Sequence, residues 1–505
     1  MKIVKETLLP IALRLSYYRP MNRILLGMQK NYLQALLSAF LLSILISGLT
    51  APQLPSLGDA SSRIVSPELE KRIGEDFLKQ LHSSMKTSDD PLLKYYTESK
   101  IKELIQYSNF RDQILSIILV DNPNLNAFAA PGGVVGINLG LFLQARDIHE
   151  FSSVIAHELA HLSQRHFARG IEERKSKSLP SVASMIAGLL LGAVGGTDAA
   201  LATISLAQAA NQASQLRYSR EREIEADRIG LQTMVNAELD PNGMSRMFER
   251  MQRAYRFTRR PPEFLLTHPL SETRIADAKN QARAYEKMEF ADSVAFQMMK
   301  VKAQVSYQKN HAISTTKFLD LAQKNPKNLA YRYGLALSLS KQGLPEEALT
   351  EFNEIRKRLP NTILMLAAYA EMLIETGNHQ IAQNILTKRL SISPNNVPLS
   401  MLYARSLTAM HKFNKAEEVL LKLSKVKPKD VSVWYELAET SGLAGNISGV
   451  HLARAEYFLM HGAYFRTIQH LEYAKSLIRR NNPQLKSKLS QRIQDLKTKV
   501  RMARS

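Results

Sequence analysis

A spacing of 34 residues governs the C-terminal part of this 505-residue chain. Pro326, Pro360, Pro394 and Pro428 recur at that interval. Ala336, Ala370, Ala404 and Ala438 keep it, as do Ala348, Ala382 and Ala416, while Gly343, Gly377 and Gly445 fall at the turn between helices. Small residues at two fixed positions let paired helices approach closely, and the proline ends the second helix. This is the period and composition of the tetratricopeptide repeat, whose helix pairs stack into an α-solenoid. Such stacks present a concave surface suited to protein segments. After Gly445 the phase breaks, and residues 453–478 read as a further, shifted helix pair. Residues 291–325 read as a degenerate capping pair at the other end.

Upstream of the repeats, residues 66–110 have the periodicity of amphipathic helices. Residues 112–142, "DQILSIILVDNPNLNAFAAPGGVVGINLGLF", change character. Short apolar runs broken by Asn, Pro and Gly predict two strands joined by turns. Helical periodicity returns at residue 147 and persists, so the expected fold is mostly α with one small sheet. The Gly-rich apolar stretch 179–196 is short for a membrane span and is expected to be a buried or interfacial helix. At the N-terminus, residues 32–49 carry no charge and follow Arg14, Arg19, Arg23 and Lys30. A basic region followed by an apolar one is the pattern of an export signal. Left uncut, the segment is just long enough to hold the protein at a membrane.

The chemistry sits in "SSVIAHELAHLSQRHF", residues 152–167. On a helix, residues four apart are separated by about 40° in azimuth, so His157 and His161 project from one face. Glu158 lies about 100° from His157, beside any metal held there and free to take a proton from water. Catalytic zinc usually takes three protein ligands. The chain has no cysteine, so the third ligand must be His, Asp or Glu, and no disulfide fastens one part of the chain to another. The best candidate is "SREREIEADRIG", residues 219–230, where Glu223 and Asp227 share a face: one a ligand, the other a carboxylate able to orient a histidine. Glu221 and Glu225 fall on other faces and are expected to be solvated. His149 and His166 lie off the motif's face and read as ordinary histidines.

Taken in order, "VIAHELAHLSQRH", "SREREIEAD" and "LLTHPLSETRI" (265–275) resemble the HtpX/CAAX-prenyl-protease type of zinc metallopeptidase. The signal-like start and repeat tail are similar to its periplasmic BepA-like branch. The resemblance implies a zincin-type metalloprotease domain holding one Zn2+ per chain on His157, His161 and Glu223, with Glu158 as general base and Asp227 as supporting carboxylate. It implies that Asn126, Ala127, Phe128 and Ala129 belong to an edge strand that holds an extended substrate by backbone pairing. His268 would occupy the open metal position and keep the protease latent, and Arg274 would pair with a site carboxylate. The implied activity is that of an exported zinc endopeptidase acting on misassembled outer-membrane β-barrel proteins and assisting correct assembly. The repeats would dock on the β-barrel assembly machinery. The rival reading is a periplasmic repeat scaffold or chaperone with little or no proteolysis; scaffolding alone, however, requires none of the four motif residues.

The expected organisation is a signal or anchor segment with linker (1–60), a metallopeptidase domain (61–285) and a repeat domain (286–505). Lys plus Arg exceeds Asp plus Glu by 67 − 46 = 21, which favours acidic partners. The chain carries no nucleic-acid-binding motif, so nucleic acid is not expected among them. The tail from Lys475 to Arg504 has ten basic residues and one acid, Asp495, and suits contact with anionic lipid or lipopolysaccharide.

Overall fold

Helix-start signals are explicit in the first described elements. Ser66 caps α1 (Pro67–Ser84) by accepting from Leu69 N–H, and Asp90 caps α2 (Pro91–Tyr107) by accepting from Leu92 and Leu93, each with proline in the first turn. The computed structural model describes residues 65–173, 219–256, 263–285, 289–359, 361–478 and 482–502. The expected export segment and the apolar stretch at 179–196 lie outside those residues. Among the described residues no helix is long and apolar enough to cross a membrane.

The segment expected to hold two strands holds three: β1 (Ser116–Val120), β2 (Ala127–Ala130) and β3 (Val134–Asn138). The sheet order is β1-β3-β2, with β2 antiparallel and β1 parallel to β3. β2 therefore forms one edge of the sheet. Asn138 N–H donates to Asn126 O at 3.0 Å, which sets the alternation of the hairpin. Backbone groups of Asn126 and Phe128 face β3, and those of Ala127 and Ala129 face outward. After α3 (Leu139–Gln144), α4 (Ile148–Ser163) carries the His-Glu-x-x-His motif along β2; Asp147 caps it. α5 (His166–Glu173) follows directly. Further on, α6 (Arg220–Asn236) and α7 (Asn242–Arg256) pack on α4, and α8 (Glu263–Thr267) and α9 (Glu272–Ala282) complete the part that precedes the repeats.

The C-terminal helical run opens with the pair α10 (Val294–Tyr307) and α11 (His311–Lys324). Then come α12 (Leu329–Lys341) with α13 (Pro345–Arg356), α14 (Ile363–Glu375) with α15 (His379–Leu390), and α16 (Val397–Ala409) with α17 (Phe413–Val426). The series ends with α18 (Val431–Leu443), α19 (Ile447–Met460), α20 (Tyr464–Leu477) and α21 (Pro483–Met502). All seven repeat alanines are buried at helix contacts. Gly343, Gly377 and Gly445 have φ of 81°, 80° and 74°, the left-handed values that let each first helix turn into its partner.

One apolar core runs from Leu92 to Leu402 and joins the sheet-containing part to the repeats, with Phe142 and Phe151 against Phe296 of α10. Farther along, Lys94 binds Asp430 at 2.7 Å and Lys427 binds Glu98 at 2.9 Å. These contacts hold the two parts together without a disulfide.

Candidate metal centre

Three elements converge. α4 supplies His157, Glu158 and His161, α6 supplies Glu223 and Asp227, and the turn after α8 supplies His268. Helices α4 and α6 approach closely because α6 carries Gly230 at the crossing: a Cβ there would stand 3.1 Å from the backbone of Ala156 and His157. His157, Glu158, His161, Glu223 and His268 are each at most 2% exposed.

His157 Nε2 lies 2.9 Å from His161 Nε2 and 3.6 Å from Glu223 Oε2. His161 Nε2 lies 3.4 Å from Glu223 Oε1, and His268 Nδ1 lies 3.1 Å from the same oxygen. One ligand atom from each of His157, His161, Glu223 and His268 falls within 4.8 Å of the other three. Nitrogen lone pairs and carboxylate oxygens aimed at a common point repel one another unless a cation lies between them. A buried three-imidazole, one-carboxylate set of this size fits a divalent metal.

Behind these donors stands a charged support. Asp227 Oδ1 is 2.9 Å from His157 Nδ1, the ring atom turned away from the cluster. Arg274 grips Asp227 with Nε at 2.6 Å and Nη2 at 2.7 Å, and its Nη1 lies 2.8 Å from Glu223 Oε2. One buried guanidinium thus bridges two buried carboxylates. Burial opposes ionisation of Glu223, but His268, His157 and His161 outweigh it and hold its pKa well below the ordinary value. Burial likewise opposes a charge on His157, yet Asp227 and Glu223 lift its pKa to about 9. Burial dominates at His161 and keeps it neutral.

Glu158 is placed differently. Its Oε1 makes no hydrogen bond and lies 3.4 Å from His268 Nε2, while Ala129 N–H donates to its carboxylate. Burial raises its pKa, the direction a proton acceptor needs if it is to work near neutrality. The link to Ala129 ties this carboxylate to the outward-facing side of β2. A cleft of about 310 Å³ opens there, lined by Ala129, Ala130, Phe110, His161 and Arg165 together with Lys429 of the repeat region.

The motif residues thus come together as the sequence indicates, and His149 is structural, its Nδ1 accepting from Asp240 N–H. One expectation fails, and His166 stands closer to the motif than its helical position indicates. His166 is buried, with Nδ1 2.7 Å from His161 Nδ1. Glu225, expected to be solvated, is half-buried and lies 3.1 Å from His166 Nε2. Glu221 is exposed, as expected. Helical-wheel reasoning misplaced His166 because α4 ends at Ser163, and Arg165 adopts a left-handed φ of 48° that turns the chain back.

Comparison with known proteins agrees with this geometry. Residues 91–282 match the profile of peptidase family M48, and residues 373–439 match that of the tetratricopeptide repeat. A Vibrio cholerae protein provisionally named a beta-barrel assembly-enhancing protease is 30% identical over 432 residues, covering 84% of this chain and 88% of its own. The chain belongs to peptidase family M48. The Escherichia coli beta-barrel assembly-enhancing protease is 27% identical over 90% of this chain and 93% of its own. The mitochondrial metalloendopeptidase OMA1 of Schizosaccharomyces pombe is 31% identical over 42% of this chain and 60% of its own. This M48 member is accordingly a metallopeptidase with a repeat array attached.

Proposed function

We propose that this chain is an exported zinc endopeptidase that acts in the periplasm on misassembled outer-membrane β-barrel proteins. The carrying observation is the buried convergence of His157, His161 and Glu223, with Glu158 joined through Ala129 to the edge of a sheet. His157, His161 and Glu223 would hold the zinc, and His268 would fill the fourth position at rest. When bound, the metal supplies electrophilic activation of the scissile carbonyl and of water. Glu158 would take the proton and return it to the leaving amine. An extended substrate would pair with the outward groups of Ala127 and Ala129, a strand-addition mode that reads backbone rather than sequence and suits unfolded segments. Asp227 and Arg274 would hold the histidine and carboxylate in place. The names of the Vibrio cholerae and Escherichia coli relatives, and their match along 84% and 90% of this chain, support the outer-membrane assignment. The repeats would bring the protease to the assembly machinery. The basic tail would contact anionic lipid or lipopolysaccharide through cations left over after Arg492 and Lys497 have paired with Glu456 and Glu472.

The test compares wild type with Glu158→Gln for zinc content and for cleavage of an unfolded β-barrel protein. About one zinc per chain is expected in both, with cleavage at least ~100-fold slower in the variant. Zinc-free, folded wild type with no cleavage would favour a repeat scaffold instead.

A further inference from the structure

The ring nitrogen of His161 that points away from the donor cluster, Nδ1, has a second imidazole within hydrogen-bond distance. It meets His166. We propose that His166 and Glu225 form a positioning relay for His161, fixing which ring nitrogen carries its proton and so aiming a lone pair at the metal. The inference rests on His161 being a metal ligand, as proposed above.

The bonding order follows from what each group can do. A carboxylate only accepts, so Glu225 Oε2, 3.1 Å away, requires the proton of His166 on Nε2. Neutral His166 is then an acceptor at Nδ1. The atom opposite it at 2.7 Å is His161 Nδ1, which must donate. With its proton on Nδ1, His161 presents an unprotonated Nε2 to His157 and Glu223. Asp227 acts on His157 directly, whereas Glu225 reaches His161 through one intervening imidazole. The two ligating histidines therefore have separate supports on the same helix, α6.

Independent features hold the relay in register. Arg169 places Nη1 3.1 Å from the same Glu225 oxygen, which orients that carboxylate. Arg165 sits at φ 48°, a left-handed conformation that a non-glycine residue seldom adopts. Its guanidinium is clamped by Glu70 at 2.9 Å and by Val65 O at 2.8 Å. Without that reversal, five residues of continued helix would carry His166 about 140° away from His161. The clamped turn returns the ring to within reach.

The full-length metalloprotein tests this by zinc affinity, measured by competition with a chromophoric chelator, and by the visible spectrum of the cobalt-substituted protein. His166→Leu removes the acceptor and should weaken zinc binding by about 10–100-fold, the range found when such outer partners of ligating histidines are lost. His166→Gln keeps an acceptor oxygen and should recover most of that loss, which a packing role for the ring would not predict. Glu225→Ala, at the half-buried end of the relay, should weaken binding in the same direction and alter the cobalt spectrum while leaving metal-free stability unchanged. Unchanged zinc affinity in both His166→Leu and Glu225→Ala overturns the relay. Glu223→Ala serves as the control: if it also retains metal, the metal-site assignment fails, and if it loses metal while the other two do not, only the relay fails.

Discussion

At the scale of single residues, Arg274 carries an unusual share of the electrostatics. It lies between Asp227 and Glu223, which stand four positions apart on α6, all three almost fully buried, and its guanidinium contacts both carboxylates. Removing one member of a buried ionic group leaves uncompensated charge and costs about 3–5 kcal/mol. Arg274→Met should therefore destabilise the metal-free protein by that amount in urea unfolding. Added zinc should restore part of the loss, because a ligand bound only by the folded state stabilises it and a dication replaces the missing positive charge. Equal destabilisation with and without zinc would show that Arg274 supports packing rather than the charge balance of the site. The residues of the candidate site were legible in the sequence because His157, His161, Glu223 and Asp227 obey helical spacing inside unbroken helices. His166 and Glu225 were not, since a spacing rule cannot anticipate the left-handed turn at Arg165 that ends the helix between the two histidines.

At the scale of elements, the site depends on how closely α6 lies against α4. A methyl group on Gly230 would meet backbone atoms of Ala156 and His157, which cannot rotate aside as a side chain would. Gly230→Ala should force the helices apart by a few tenths of an ångström, cost about 1–3 kcal/mol, and lower zinc affinity because Glu223 and the two histidines sit on the opposed faces. Denaturation and chelator competition on the same variant check both effects; a variant with wild-type values for both would mean that the crossing has slack. The helical elements were the most legible part of the chain. The 34-residue period located the paired helices, and the phase break after Gly445 marked where α19 and α20 depart from it. One turn disobeys the glycine rule: His411, in phase with Gly343, Gly377 and Gly445, takes the left-handed conformation at φ 57°. The sheet was less legible. β2 has four residues, all buried, and so lacks the alternation that reveals a strand, which merged it with its neighbours into a two-strand reading.

At the scale of the whole described unit, the repeats pack on the metal-binding half at both ends of their run. Near the start, Phe296 of α10 enters the core beside Phe142 and Phe151. Near the far end, His82 in the last turn of α1 faces His461, just after α19, with ring centres 5.8 Å apart. Burial is the main cause that depresses the His82 pKa to about 4; His461 and Lys94 add to it and Asp430 opposes. The folded state thus binds a proton at His82 less readily than the unfolded chain, where the ordinary value is 6.5. Stability from this group is complete above pH 6.5 and falls as pH drops from 6.5 toward 4. Glu371 works in the opposite sense: burial lifts its pKa to about 7 despite Lys302, so its contribution grows as pH falls from 7 toward 4.5. The net slope of the wild type mixes the two, and the informative quantity is the difference from His82→Gln. Between pH 7 and pH 5 the wild type should lose about 2 kcal/mol more than the variant in urea unfolding, 1.36 kcal/mol per unit of displaced pKa. Parallel pH profiles for the two proteins would show that His82 is solvated in solution and that the far end of the repeat run does not close on α1.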